Sequence, residues 1–360
     1  MSLEKIKELY LNSCSILILS KPKDIRVGLD FQLQNLVEDF YGFQLIPKGF
    51  HILYWESIKN DSPRFFLILE LKQCENLILS WDNKEETFVD LNLFEYEQAE
   101  RYQNGIKRMD FIKKLTAYPQ DLLEKWNILT SFLNKINKEE KKIKEIKEKE
   151  KEKEKEKEKK NKRKSKLIQL DSDQKNQTIN WTTVVPLKIP ESAKSLKLRT
   201  LHGMDRSYTL GWNLKHQFLE SNKHFFAEFQ LSFLLFWIVH SVKALEQWKS
   251  IIVLLTNCEK ALQTEKLFYQ NFIKIFINQI SYLPSDFFQD ELSQGNFLIH
   301  CLKSFLEIIS QEQNWLNETT MITKLLKKKF KLNFNFNQID EIDENDEYSP
   351  VIVQLESLNL

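Results

Sequence analysis

Glycine is scarce: seven in 360 residues, at Gly28, Gly42, Gly49, Gly105, Gly203, Gly211 and Gly295. None falls in GxGxxG or GxxxxGK[ST] spacing, so the chain has no glycine loop to cradle a phosphate. The GxSxG turn of the serine hydrolases is missing too. There are four cysteines, Cys14, Cys74, Cys258 and Cys301, with no CxxC pair. That spacing excludes a zinc ribbon or a dithiol redox motif and suggests reduced thiols in an intracellular protein. The six histidines never stand at H-x3-H or HExxH spacing. His300 and Cys301 are neighbours, so on a helix they point about 100° apart and make a poor metal pair. No apolar run reaches the roughly 20 residues of a membrane span. The longest, Phe225 to Val239, includes Glu228, Gln230 and Ser232 and reads as a buried core helix. Nothing near Met1 reads as an export signal. The expectation is a non-enzymatic protein with no metal, no cofactor and no membrane segment.

Charge is abundant but balanced, with a formal net of +1. It is distributed unevenly. Lys138 to Lys166 carries a surplus of seven positive charges, which leaves about −6 for the rest of the chain. Neither figure fits a nucleic-acid-binding domain, so no direct sequence-specific nucleic-acid binding is expected. Within Lys138–Lys160, Lys and Glu alternate. This puts unlike charges at i,i+3 but like charges at i,i+4, which roughly cancel at a few tenths of a kcal/mol each. A solvated low-complexity linker is expected there. The basic run Lys160–Lys166 has the composition of a nuclear localisation patch or of a low-complexity end.

Apolar residues make up 42% of the chain, enough for a sizeable core. Short apolar runs punctuated by Gly, Pro, Asn and Asp predict strands over Cys14–Ser20, Gly49–Ser57, Arg64–Lys72 and Asn76–Asp82. Their spacing suits an antiparallel arrangement. From about Glu95 the period becomes helical. Pro119 divides Phe111–Ile136 into two predicted helices. Residues 179–190 read as a strand returning to the first sheet. Ser207 to Phe330 reads as helices with short connections, and no repeat of fixed period is visible. In one of these, Phe268, Phe272, Phe276 and Ile280 form a buried stripe. Ser285 is a candidate cap for the next helix, and Asp286 and Asp290 fit its positive N-terminal end.

The fold class is therefore α+β and multidomain. A β-rich, sandwich-like domain over 1–137 ends in helices. A linker follows over 138–178, then an all-α domain over 179–338 and a tail over 339–360. The tail is unusual. Ile339 to Glu347 has six carboxylates and no base, yet a strand-like run follows: Pro350, Val351, Ile352, Val353, Gln354 and Leu355. An acidic tether suits a strand that adds to the sheet edge of a partner. Pro350 fits the first position because it cannot donate to the ladder. The other candidate edge is the chain's own N-terminal sheet.

Several motifs in order point to a family. Gly28, Asp30 and Phe31 precede Phe40, Gly42, Ile46, Pro47, Gly49 and His51. Tyr118, Pro119, Lys125, Trp126, Leu129, Thr130 and Phe132 form a second motif, and MDRSYTL opens the helical part. Glu228, Gln230 and Phe233 precede Ala244, Glu246, Trp248, Lys249, Leu254 and Leu255. LPSDFF and the terminal SPVIVQL complete the series. Together they resemble the AAR-two (A-one/alpha-two repression) splicing factors over about residues 25–135 and 179–357. The chain departs from that pattern at Gln34, Val37 and Gln354. The resemblance implies a β-rich domain followed by a VHS-like helical domain. It also implies an assembly factor of the U-5 small nuclear ribonucleoprotein, present in cytoplasm and nucleus. Such a factor binds the RNase H-like and Jab/MPN-like domains of the large spliceosomal scaffold protein and holds off the unwinding helicase until release. The alternative from another class is a VHS-like adaptor in intracellular trafficking.

Overall fold

The computed structural model describes residues 10, 12–34, 40–58, 63–136, 179–285, 287 and 297–332. The Lys/Glu run, the basic patch after it, Asp286, Asp290 and the tail lie outside these residues. The β-rich region holds nine strands among the described residues: β1 (Cys14–Leu19), β2 (Ile25–Leu29), β3 (Gln32–Leu33), β4 (Gly42–Ile46), β5 (Gly49–Ser57), β6 (Phe65–Leu71), β7 (Asn76–Asp82), β8 (Thr87–Asp90) and β9 (Thr116–Ala117). One sheet runs β8-β7-β1-β4-β9 and the other β3-β2-β5-β6.

Side-chain alternation explains why β1 is apolar but for the buried Ser15. Cys14, Ile16 and Ile18 face a core shared with Val27, Leu29, Leu53 and Trp55 of the second sheet. Leu17 points the other way, against Ile78 and the helix residues Ala99 and Ile106. A strand covered on both faces has no polar side to show. The covering helices are α1 (Leu91–Phe94) and α2 (Tyr96–Lys107). The spacing predicts antiparallel pairing, but the pairing is mixed. β1 runs parallel to β7, and β4 parallel to β9. Spacing between strands reports connection length, not which strands later become neighbours. Gly42 illustrates how tightly β4 lies on β1. Its φ is +128°, and a Cβ there would sit 1.9 Å from the Ile16 carbonyl oxygen.

The predicted helix before Pro119 does not form. Residues 108–115 are turns leading into β9. Gln44 Nε2 donates to the Ile112 and Leu115 carbonyls at 3.0 and 2.7 Å, satisfying that backbone without a helix. After Pro119, a 3-10 turn (Gln120–Leu122) leads into α3 (Leu123–Leu129).

The helical region comprises α4 (Leu196–Met204), α5 (Ser207–His216), α6 (Asn222–Val239), α7 (Val242–Leu255), α8 (Glu259–Thr264), α9 (Lys266–Tyr282), α10 (Phe297–Ser310) and α11 (Leu316–Leu325), ending in a π turn over Leu326–Phe330. Among the described residues no helix is long and apolar enough to cross a membrane. Helix α6 is buried almost all round. It ends at His240, which adopts φ +61°. The Ser241 N–H reaches back to the Leu235 carbonyl at 3.2 Å, closing a left-handed cap. Ser241 then caps α7 by accepting from the Ala244 N–H at 3.3 Å. The stripe Phe268, Phe272, Phe276 and Ile280 on α9 is buried as expected.

The chain divides into two compact units, Met1–Ile280 and Ser281–Leu360. The first therefore contains the sheets together with the helices through α8 and most of α9.

Candidate functional site

The expected partner-binding residues, Pro350, Val351, Ile352, Val353, Gln354 and Leu355, lie outside the described residues. The structure instead shows where the other motif residues meet. Asp30, one residue beyond β2, has φ +53°, a left-handed conformation that Asp tolerates better than most residues. Its carboxylate takes three donors. The Ile52 N–H donates to Oδ1 at 2.8 Å, the Tyr118 hydroxyl to Oδ2 at 2.9 Å, and His51 Nδ1 lies 2.7 Å from Oδ2. His51 Nε2 lies 2.8 Å from the Pro47 carbonyl oxygen. A carbonyl only accepts, so this nitrogen carries a proton. The Trp126 ring stacks on the His51 ring with an interplanar angle of 12°, and its Nε1–H donates to the Phe50 carbonyl at 2.9 Å. Phe31 meets Trp126 edge-on. Asn134, held by Thr130, accepts from the Phe50 N–H at 2.8 Å.

A Tyr–Asp–His cluster has the parts of a proton relay. Exposure decides against that role. Asp30 and His51 are each 1% exposed and Tyr118 is 3%. No substrate atom can reach a group so enclosed without unfolding the site. The cluster is a lock: it ties β2, β5, β9 and α3 at one point, and every polar atom in it has a partner.

A second constellation lies on α6. Gln230 is fully buried. Its Oε1 accepts from the Phe132 N–H at 2.9 Å, while Nε2 donates to the Ile128 carbonyl at 2.8 Å and to Ser131 Oγ at 3.1 Å. Glu228 Oε1 accepts from the Thr182 N–H at 2.8 Å and from Gln247 Nε2 at 2.7 Å. These are the polar residues that interrupt the longest apolar run. One grips the end of the β-rich region and the other grips the chain where it re-enters the helices. Arg64, just before β6, adds a third link by donating to the Ile238 carbonyl at 2.6 Å.

Residues 179–190 do not form a strand and do not return to the sheet. They lie extended across the helices, held every third residue. Thr182 bonds Glu228 and Gln247. Val185 bonds Asn213 through both its N–H and C=O, at 2.8 and 2.9 Å. Lys188 bonds Thr209 in the same two ways, at 3.0 and 3.1 Å. A period of three is that of a polyproline II chain, which has no internal hydrogen bonds and needs outside partners. An apolar, β-branched run signals an extended backbone, but its composition does not say whether a sheet or side chains will satisfy it.

Burial pushes the Glu228 carboxyl up from its ordinary value of 4.5, and the hydrogen bonds from Thr182 and Gln247 only partly oppose this. The folded state therefore holds a proton that the unfolded state has already released. Stability attributable to Glu228 falls as pH rises from about 4.5 towards the raised value. Glu228→Gln keeps an acceptor for both donors and removes the titration. It is expected to leave stability near pH 4 little changed, to match or exceed the parent at pH 7, and to flatten the pH slope between them. Urea midpoints at intervals from pH 4 to pH 8 measure this, and parallel profiles for the two proteins would refute it.

No group of three or more His, Cys, Asp or Glu among the described residues is arranged to hold a metal ion. His300 is exposed and Cys301 is buried, so they do not share a site. An open cleft of about 370 Å³ lies between α5, α8 and α9, with Leu210, Leu214 and Phe268 along its floor. Its rim carries Lys215, Lys260, Glu220 and Glu265, charges without a nucleophile–base pair among them.

Two family models match the chain. The family model described as AAR2 N-terminal domain matches residues 12–136, and that described as AAR2 C-terminal repeat region matches residues 182–335. The latter names a repeat that no fixed period in the sequence betrays. Human Protein AAR2 homolog is 27% identical over 380 residues, covering 98% of this chain and 96% of its own. The mouse protein of the same name matches to the same extent. The Caenorhabditis elegans one is 26% identical over 362 residues, covering 92% and 98%.

Proposed function

The chain belongs to the AAR2 family, and from that premise we propose that it is a non-enzymatic assembly factor of the U-5 small nuclear ribonucleoprotein in pre-mRNA splicing. It acts in cytoplasm and nucleus, binds the RNase H-like and Jab/MPN-like domains of the large spliceosomal scaffold protein, and holds off the unwinding helicase until release. The observation that carries the reading is the family match in both halves of the chain. The Asp30 and α6 hydrogen-bond clusters support it. Their polar side chains are spent on holding extended segments and loops in place, which suits a body that presents surfaces to partners.

In this reading Pro350–Leu355 add a strand to a sheet edge on the scaffold, with main-chain hydrogen bonds for affinity and Val351, Val353 and Leu355 filling alternate pockets. The test compares the full chain with a chain ending at Glu347 for binding to the two recombinant scaffold domains. The full chain is expected to bind both domains and bridge them, and the shortened chain to bridge them more weakly. Equal bridging would assign the strand to the protein's own fold, and absence of binding by either chain would overturn the assembly role. Hydrogen exchange separates the two edges: the augmentation reading expects fast exchange at Val351–Leu355 in the free protein and slow exchange in the complex.

A further inference from the structure

Helix α4 is built inside out. Every other described helix of eight or more residues buries part of its surface, but α4 buries none. Its half-buried positions are His202 and Gly203, with the His202 ring edge-on to Tyr208 at 5.7 Å. Its large apolar side chains face out. Leu196 is 81% exposed, Leu198 45%, Leu201 52% and Met204 71%. At 100° per residue these four span an arc of about 200°. An isolated helix this short is marginal in water. This one is fixed by Ser195, whose Oγ accepts from the Leu198 N–H at 3.3 Å. A preformed turn of helix thus displays apolar side chains to solvent, and contiguous patches of that kind mark interaction sites.

Charge narrows the occupant. Lys194, Lys197 and Arg199 are exposed around the patch, and none forms an ion pair with a described residue. Of the two nearby acids, Glu191 lies before the helix. Asp205 is engaged by the Ser207 N–H at 3.0 Å and by its hydroxyl at 2.5 Å. The surface is therefore apolar and positive, with Lys197 within the arc, Lys194 just before the helix and Arg199 beyond the arc's edge. We propose that α4 is a docking ridge for an acidic amphipathic helix of a partner protein, whose leucine-type face covers Leu198, Leu201 and Met204 while its carboxylates meet Lys194, Lys197 and Arg199. An anionic lipid surface fits less well. The helix is only about 14 Å long, and Lys197 stands in the middle of the apolar arc, where it would be dragged into the acyl region. A helix partner places a carboxylate opposite that lysine. This inference does not rest on the splicing reading.

The probe is a fluorescein-labelled helical peptide with a leucine stripe flanked by glutamates, titrated with the full-length protein and followed by anisotropy. Its counterpart with lysines in place of the glutamates serves as control. Saturable binding of the acidic peptide only is expected, weakening as salt rises. The triple variant Leu198→Ser, Leu201→Ser, Met204→Ser should bind about tenfold or more weakly, and Lys197→Glu with Arg199→Glu should do the same. All five positions are exposed, so unchanged thermal unfolding is expected and confirms that loss of binding is local. The proposal falls if the acidic peptide does not bind, or if it binds equally to parent and variants. It also falls if phosphatidylserine vesicles bind through α4 in place of the peptide, or if light scattering shows that α4 pairs two copies of this chain.

Discussion

Asp30→Ala is expected to cost about 3–5 kcal/mol of folding stability, the range for removing one partner of a buried ion pair or charged network. Three effects add. The His51 ring loses the acceptor on Nδ1 while its Nε2–H remains committed to the Pro47 carbonyl. The Tyr118 hydroxyl and the Ile52 N–H lose their acceptors in a buried interior. Alanine also tolerates φ +53° less well than aspartate. Asp30→Asn separates these terms. It keeps the backbone preference and one acceptor oxygen but presents an amide to a donor, so an intermediate loss of about 2 kcal/mol is expected. Urea denaturation of the parent and both variants, with Tyr118→Phe and His51→Ala added for a double-mutant cycle, measures the coupling. A loss below about 1 kcal/mol for Asp30→Ala would mean that the network does not hold the sheets to α3.

Much of this fold is legible in the sequence. The runs at β1, β5, β6 and β7 are apolar enough to announce themselves, and the Phe268-to-Ile280 stripe has a helix period. β2, β3, β4, β8 and β9 are not legible in the sequence, because each is five residues or fewer and mixes polar with apolar positions. The parallel pairing of β1 with β7 could not be seen at all. It joins residues about 60 apart through Ser15↔Asn76 and its neighbours, and nothing local encodes that choice. The break between α6 and α7 was hidden for another reason. An all-round apolar stretch has no moment to change sign, and the signals are a lone histidine in a left-handed cap and the serine after it. The sites were half legible. Asp30, His51, Tyr118 and Trp126 stood out as motif positions, but sequence spacing could not show that they converge on one carboxylate. A histidine inside GFHILYW was the available hint, since a buried imidazole needs two partners.

Gln230→Ala should be the second large effect, about 2–4 kcal/mol, because it strips partners from the Phe132 N–H and the Ile128 carbonyl at once. The loss should also have a distinctive location. The Ile128 carbonyl belongs to the last turn of α3 and the Phe132 N–H lies just beyond it, where the β-rich region meets α6 and Phe132 packs on Phe226 with ring centroids 5.0 Å apart. The amide of Phe132 should become one of the fastest-gaining exchangers in the variant, while Leu53 and Trp55, inside the sheets, stay protected. Gln230→Glu is the sharper variant. One oxygen can still accept from Phe132, but the other then faces the Ile128 carbonyl, acceptor against acceptor, and the added charge is fully buried. It should destabilise at least as much as alanine at pH 7 and recover as pH falls and the carboxyl takes up a proton. A common loss at both pH values would mean that the helix tolerates no change of shape at this position and that hydrogen bonding is secondary. Recovery in acid would show that the buried Gln230 amide, set in a helix buried almost all round, is one of the bonds that join the β-rich region to α6.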